Sequence, residues 1–163
     1  MIERYTRKAM GDLWSLHNRF AAWLEVELAV CEAWTKLGRI PEADMAVIRE
    51  KAGFDVERIL EIEETTRHDV IAFLTAVEER VGPSARFIHL GCTSSDIVDT
   101  ANALLLGRAG DLILADLDGL LTAIKELAMR FKGQLMIGRT HGIHAEPLSF
   151  GMKLASFYAE FSR

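Results

Sequence analysis

The chain has 163 residues, 50% of them hydrophobic, with a formal net charge of −5 and two cysteines. That length can bury one substantial core, or one domain and part of a second. The mild acidity disfavours nucleic-acid binding, which usually needs a basic patch. No apolar run approaches the ~20 residues of a membrane span, and the N-terminus has no signal-peptide pattern. Cys31 and Cys92 lack metal-ligand or redox spacing. These features predict a soluble protein of the cytoplasm.

The first half of the chain carries the patterns of several short helices. Apolar residues recur at three- and four-residue steps from Phe20 to Trp34, which predicts an amphipathic helix. Gly38 and Pro41 mark its end and the start of a shorter helix. Asp55 is the predicted N-cap of the next one. A helix from about Asp69 to Val81 follows, and its predicted inward residues are Ile71, Leu74 and Val77.

A long helix is predicted after Thr93, with Ser94 or Ser95 as its N-cap and its end near Lys132. That is far longer than the ~11–12 residues of a mean helix. Such a helix cannot bury its apolar stripe alone and calls for a bundle of long partners. The sequence therefore predicts an all-α fold. A small N-terminal helical domain, residues 1–92, precedes the first part of a long-helix bundle, residues 93–163.

The end of the sequence lacks the usual signs of a helix terminus. The final helix is predicted to begin near Pro147, and its pattern is still amphipathic where the sequence stops at Arg163. We therefore expect the chain to be the N-terminal portion of a longer protein. The unfinished bundle leaves an apolar stripe, so self-association is also expected.

Two polar clusters lie in the predicted N-terminal domain. Arg4 and Tyr5 could hold a phosphate group by hydrogen bonds, or they could be a solvated arginine beside a packed tyrosine. The segment Thr65–Asp69 contains an arginine and a histidine between two predicted helices. It is either a polar turn that faces a ligand or a pair of helix caps.

A third cluster precedes the long helix and contains His89, Cys92, Thr93 and Ser94. Free backbone N–H groups and hydroxyls at a helix start suit a carboxylate or a phosphate. The alternative is a serine cap, with Asp96 placed favourably for the helix dipole. Cys92 is either a thiol of lowered pKa or a small packing residue.

The fourth cluster, Gly138–Pro147, is the most distinctive segment. The sequence predicts a polar turn between two helices, with Pro147 in the first turn of the final helix. His141 and His144 could hold a metal ion, but the glycine between them argues against a helix and no third ligand lies nearby. Proton transfer or hydrogen bonding by His141 is the favoured role, with His144 fixing the turn.

In this order the clusters resemble those of the adenylosuccinate lyase family, within the fumarase/aspartase superfamily. The matching segments are Met1–Tyr5, Thr66–Val70, Thr93–Thr100 and Gly138–Pro147. The resemblance runs the whole length of the chain. It implies a carbon–nitrogen lyase that eliminates fumarate from adenylosuccinate, giving AMP, and from the related succinyl-carboxamide ribotide of purine synthesis.

The resemblance also implies roles for individual residues. The catalytic candidates are His141, as the general acid, and His68. The substrate-binding candidates are Arg4 and Tyr5 at the phosphate, Arg67, His68 and Asp69 at the nucleotide, Thr93 and Ser94 at a carboxylate, Thr140 beside the acid, and His89 in support of the phosphate or the acid. Neither a metal nor a cofactor is implied. The implied partners are the nucleotide substrates and further copies of the protein in a homotetramer, without nucleic acid or membrane.

One departure from the family pattern limits what this chain can do. The family's base is a serine on a glycine-rich loop far downstream, accompanied by a lysine, and nothing in this sequence matches that loop. We therefore expect the chain to be inactive alone. Three alternatives stay open. The first is another lyase or a carboxymuconate-type cycloisomerase of the superfamily, the second is a helical interaction module without enzyme activity, and the third is a histidine-based metal protein.

Overall fold

The computed structural model describes residues 2–163, with the backbone alone at Glu3, so Met1 of the first matching segment lies outside the described residues. The helices are α1 (Lys8–Leu13), α2 (Leu16–Lys36), α3 (Glu42–Lys51), α4 (Val56–Thr66), α5 (Asp69–Val81), α6 (Ser94–Arg130) and α7 (Phe150–Phe161). Two 3₁₀ helices, Glu3–Tyr5 and Gly82–Phe87, and two strands, β1 (Leu135–Thr140) and β2 (Ile143–Ser149), complete the described part. The all-α prediction is confirmed, with one small hairpin as its exception.

Contacts divide the chain into two compact units, Met1–Ala109 and Gly110–Arg163. The boundary falls inside α6, which is one continuous helix. The predicted domain division at residues 92 and 93 follows the change from short helices to a long one. It stays a prediction about the protein's domains.

The core of the first unit is built around an aromatic cluster. The rings of Phe20 on α2 and Phe73 on α5 lie parallel, with centroids 5.9 Å apart. Trp23 packs edge-on against both, at 5.2 and 5.6 Å. All three side chains are buried. Such pairs add about 0.5–1.5 kcal/mol each to the burial of their area. The cluster therefore fixes α2 against α5.

Helix α5 has the predicted bounds, and its buried face matches the predicted one in part. Ile71 is 46% exposed, so its predicted inward position is wrong. Val77 is buried and Leu74 is half-buried against the core, as predicted. Val70, Phe73 and Val77 are all buried. These three follow the three-then-four spacing of a single helix face. At α4 the prediction is confirmed, because the Asp55 carboxylate accepts the Arg58 N–H at 3.0 Å.

Helix α6 extends over 37 residues without a break at its glycines. It begins at Ser94, and Thr93 is the residue before it. Ser94 and Ser95, the two predicted N-caps, therefore lie within the first turn of the helix. It ends at Arg130. Its exposed apolar side chains are Leu104, Leu106, Ile113, Leu114, Leu120, Leu127 and Met129. Within residues 2–163, no helix combines the length and the apolar character needed to cross a bilayer.

In the second unit, the predicted turn between two helices is a β-hairpin, which corrects the prediction for Gly138–Pro147. Pro147 pairs with Ile137 in the sheet, and α7 begins only at Phe150, capped by Ser149. Both strands are edges of a two-stranded sheet. Proline is tolerated on an edge strand because, at positions whose N–H would face solvent, no hydrogen bond of the ladder is lost. Gln134 and Phe131 accept the N–H groups of Phe150 and Gly151 at 2.8 and 3.0 Å, which ties the start of α7 to the end of α6.

Two neighbouring leucines of α6 test this description of the first unit. Leu105 is 1% exposed and Leu106 is 62% exposed. Leu105→Ala should lower the unfolding free energy of the chain by about 2–5 kcal/mol, because it removes buried apolar volume and leaves a cavity. Leu106→Ala is the matched control and should change it by less than about 0.5 kcal/mol. Urea denaturation followed by circular dichroism measures both. Equal effects would contradict this packing of α6.

Candidate functional site

The first cluster lies in the 3₁₀ helix Glu3–Tyr5. The Arg4 guanidinium stacks over the Tyr5 ring, 4.7 Å from its centroid, and both side chains are exposed. Tyr5 is 74% exposed, so the alternative of a packed tyrosine does not fit this arrangement. The guanidinium donors and the phenol hydroxyl both face solvent, where they are available to an anionic group.

The second cluster is the junction between α4 and α5. Arg67 ends α4 with a left-handed backbone, φ 52°, and its N–H donates to the Glu63 carbonyl at 2.9 Å. His68 is the N-cap of α5, and its Nδ1 accepts the Ile71 N–H at 3.4 Å. The Asp69 carboxylate lies 3.7 Å from the same Nδ1. The cluster is thus a cap, as one of the two interpretations has it, and it also leaves the Arg67 guanidinium and the imidazole edge exposed.

The third cluster begins with His89, in a turn that three side chains of α2 hold in place. The Glu27 carboxylate accepts the His89 N–H at 3.0 Å. Cys31 lies 3.8 Å from the Phe87 carbonyl, and the Trp34 indole donates to the Leu90 carbonyl at 2.8 Å. Positions 27, 31 and 34 share one face of the helix. One helix face therefore determines where α6 starts.

The Glu27 carboxylate also contacts the imidazole of His89. Oε1 lies 2.6 Å from Nδ1, and the Glu27 side chain is 1% exposed while that of His89 is 19% exposed. Burial raises the pKa of Glu27 above its ordinary value, against the opposing effect of the hydrogen bonds and charge of His89. A buried carboxylate is costly unless it is hydrogen-bonded, and His89 satisfies both of its oxygens.

At the start of α6, the Asp96 carboxylate accepts the Thr93 N–H at 2.8 Å, and the Asp96 N–H donates back to the Thr93 carbonyl at 3.0 Å. Asp96 therefore uses one of the N–H groups that a bound anion would need. Thr93 is exposed and Ser94 is half-buried. Their hydroxyls, with the remaining N–H groups of the first turn, are what this helix end offers to an anion.

The fourth cluster forms the tip of the β1–β2 hairpin. His141 and Gly142 are the two turn residues, with φ of 52° and 75°. A type I′ turn has positive φ at both positions, which is why glycine suits the second one. Thr140, His141 and His144 are all exposed. In residues 2–163, no group of three or more His, Cys, Asp or Glu side chains is placed to hold a metal ion.

A feature of the backbone links three of these clusters. Among the described residues, the non-glycine residues with positive φ are Arg67, His89 and His141. Each of them is a candidate site residue from the sequence. A left-handed backbone costs a non-glycine residue roughly 1–2 kcal/mol, and such strain concentrates at functional sites. The structure thus brings residues of each cluster close together. The second, third and fourth clusters each contain one non-glycine residue with a left-handed backbone.

Sequence reasoning missed Glu27. Its signal was available, because Phe20, Leu24, Cys31 and Trp34 form one apolar stripe and Glu27 falls on that stripe at the same spacing. A carboxylate in such a position needs a buried partner. The partner is 62 residues away in sequence, so the sequence pattern alone could not identify it.

The hairpin gives a test of how the tip is held. The strands shift register between Ile137 and Arg139, and a Cβ on Gly138 would lie 2.7 Å from the Glu146 carbonyl oxygen. Gly138→Ala should therefore displace β2 and loosen the tip, with a cost of about 1–3 kcal/mol. Gly133→Ala is the control, since nothing lies within 4 Å of its Cβ position. Amide hydrogen exchange of β1 and β2 should rise only in the Gly138→Ala variant. Equal exchange in both variants would contradict the bulge.

The two thiols give a second test. Burial raises the pKa of Cys31 to about 12, and burial, Glu27 and Asp96 raise that of Cys92. Of the two interpretations of Cys92, the packing residue is therefore favoured. Because the thiolate is the reactive form, alkylation of Cys92 at pH 7.5 should be at least about tenfold slower in the native chain than in denaturant. Peptide mapping by mass spectrometry measures both sites. Fast native labelling of Cys92 would contradict the raised pKa.

Comparison with known proteins identifies the family of this chain. A family described as Lyase matches residues 3–163. The chain is 53% identical to an adenylosuccinate lyase of Bacillus subtilis (strain 168) over 163 residues, which is 100% of this chain and 38% of that protein. It is 54% identical to an adenylosuccinate lyase of Aquifex aeolicus (strain VF5) over 166 residues, with the same two coverages. The chain thus spans well under half the length of these curated relatives.

Solved structures agree with the fold. A fumarate lyase from Mesorhizobium sp. BNC1 is similar with a TM-score of 0.91 and 28% identity, over 98% of this chain and 38% of that one. A 3-carboxy-cis,cis-muconate lactonizing enzyme from Pseudomonas putida is similar with a TM-score of 0.88 and 30% identity, at the same coverages. The architecture described above is therefore shared by enzymes with different names.

Proposed function

Because this chain belongs to the lyase family that matches residues 3–163, we propose that it is the N-terminal portion of an adenylosuccinate lyase. The complete enzyme would eliminate fumarate from adenylosuccinate and from the succinyl-carboxamide ribotide. One observation carries the choice within the family. Identity to the two adenylosuccinate lyases above is 53% and 54% over the entire chain, against 28% and 30% for the two solved neighbours with other names.

The charge pattern of the clusters supports this substrate. Adenylosuccinate carries one phosphate and two carboxylates. Arg4 and Tyr5 present exposed donors for the phosphate. Arg67, His68 and Asp69 would line the nucleotide site. Hydroxyls and N–H groups at a helix start suit a carboxylate, and we assign Thr93 and Ser94 to that role.

The reaction needs a proton removed and a proton supplied. A base takes the proton from the carbon beta to the leaving nitrogen, the C–N bond breaks, and a general acid protonates that nitrogen, which gives AMP and fumarate. We assign the acid to His141, because imidazole exchanges protons near neutral pH and lies exposed at the hairpin tip with Thr140 beside it. His68 is the second catalytic candidate, and His89 supports the phosphate or the acid. The base would come from sequence beyond this chain.

The exposed side chains of α6 and α7 support the partner assignment. Met152, Phe157 and Phe161 are 67%, 39% and 44% exposed on α7, in addition to the stripe of α6. Apolar faces of this extent mark helix-packing surfaces. We propose that the rest of the protein and further subunits of a homotetramer cover them. The two unpaired cysteines fit a reducing compartment such as the cytoplasm.

A second candidate function has one observation in its favour. The muconate lactonizing enzyme from Pseudomonas putida shares the fold with a TM-score of 0.88. A carboxymuconate substrate carries carboxylates but no phosphate, so the phosphate role assigned to the exposed donors of Arg4 and Tyr5 would have no counterpart in it. An assay of the full-length protein with both substrates separates the two functions. Turnover of the muconate alone would overturn our assignment.

A substitution tests the acid. In the full-length protein, His141→Ala should lower kcat for adenylosuccinate by roughly 10²–10⁴, the usual contribution of a positioned acid. His17→Ala is the control, because His17 is exposed on α2 and packs its ring near Phe54 at 5.2 Å. The fall in adenylosuccinate absorbance measures turnover. A His141→Ala enzyme within about threefold of wild type would remove this histidine from the acid role.

A further inference from the structure

We propose that Glu27 is a positioning residue that keeps the ring proton of His89 on Nδ1, so that His89 meets substrate through Nε2. This inference rests on the proposed function, because it assigns a support to a residue of the same site. Glu27 lies on α2, outside every polar cluster that the sequence revealed.

The geometry of the pair supports a fixed ring. Glu27 contacts His89 through both carboxylate oxygens. Oε2 accepts the backbone N–H of His89 at 3.0 Å, and Oε1 lies 2.6 Å from Nδ1. The two contacts fix the backbone and the ring of one residue together. An ionised carboxylate can only accept hydrogen bonds, and a ring nitrogen facing one carries the proton.

His68 provides a contrast within the same unit. Its Nδ1 accepts the Ile71 N–H at 3.4 Å, and the Asp69 carboxylate, at 3.7 Å from that nitrogen, is beyond hydrogen-bond distance. This arrangement places the ring proton of His68 on Nε2. The two histidines are therefore held as opposite tautomers. His68 presents an Nε2–H donor, whereas His89 presents an Nε2 that can accept a proton. The difference comes from their partners, a backbone N–H for one and a buried carboxylate for the other.

The buried carboxylate gives His89 a second ability. When an anionic group of the substrate approaches Nε2, the partly exposed ring can take a proton from solvent at that nitrogen and donate it to the anionic group in a hydrogen bond. The resulting imidazolium is neutralised by Glu27 through Nδ1. A charged histidine of this burial would otherwise lack a compensating charge. Among the described residues, the thiols of Cys31 and Cys92 lie near enough to Glu27 to feel its charge, Glu32 lies near Cys31, and Asp96 lies near Cys92.

Glu27→Gln tests the assignment in the full-length enzyme. The amide keeps the shape of the side chain but has one acceptor oxygen. If that oxygen takes the His89 N–H, the NH₂ group faces Nδ1 and forces the ring proton to Nε2. We expect solid-state ¹⁵N NMR with labelled histidine rings, assigned by His89→Gln, to show exchanged signals for the two nitrogens. We expect kcat/KM for adenylosuccinate to fall by about 10–100-fold, the range found when the carboxylate that orients a metal-ligating histidine is removed.

Glu25→Gln is the matched control. Glu25 lies on the same helix and pairs with Arg108 at 2.7 Å instead of with a histidine. It should leave the His89 spectrum unchanged and kcat/KM within about threefold of wild type. A wild-type spectrum with the His89 proton on Nε2 overturns the proposal, even if the Glu27→Gln variant fails to fold. So does a folded Glu27→Gln enzyme with wild-type kcat/KM. If the wild-type enzyme does not cleave adenylosuccinate, the proposed function fails, and the spectra alone still decide the tautomer.

Discussion

The carboxylate of Glu27 is the point on which the arrangement of the first unit depends. It is buried on the core-facing side of α2, and His89 supplies hydrogen bonds to both of its oxygens. Leaving a buried charge without these partners would cost several kcal/mol, so the turn at residues 88–91 cannot move independently of α2. The start of α6 follows directly from that turn. A single buried carboxyl group, hydrogen-bonded to His89, therefore fixes the third polar cluster against α2.

The backbone conformation of three residues is a second constraint on the fold. Arg67, His89 and His141 hold left-handed conformations that glycine would adopt more easily. Each has a local reason: Arg67 ends a helix, His89 is held by Glu27, and His141 occupies a tight hairpin turn. In each case an arginine or a histidine stands where a residue without Cβ would fold at lower cost. That choice is expected when chemistry, rather than stability, sets the residue.

The chain presents the polar clusters that we propose bind a phosphate and two carboxylates, and it also presents exposed apolar side chains on α6 and α7. These two properties belong together in the proposed enzyme. The hairpin holds His141 on a rigid turn, yet the tip is open to solvent. A general acid acts best where water is excluded. The same partners that cover the apolar helix faces would complete the enclosure of the acid.

The sequence by itself determined the helices, because apolar periodicity, the Asp55 cap and the Asp69–Val81 pattern are local signals. It also determined the four polar clusters and their family, since those depend on residue identity and order. The tertiary structure decided what local patterns leave open. The Gly138–Pro147 segment is a hairpin because its two arms pair with each other, and strand pairing is set by contacts across the turn rather than by propensity. Glu27 pairs with His89, 62 residues away in sequence, because the turn that contains His89 packs on the face of α2 that carries Glu27. No spacing rule along the chain encodes that contact.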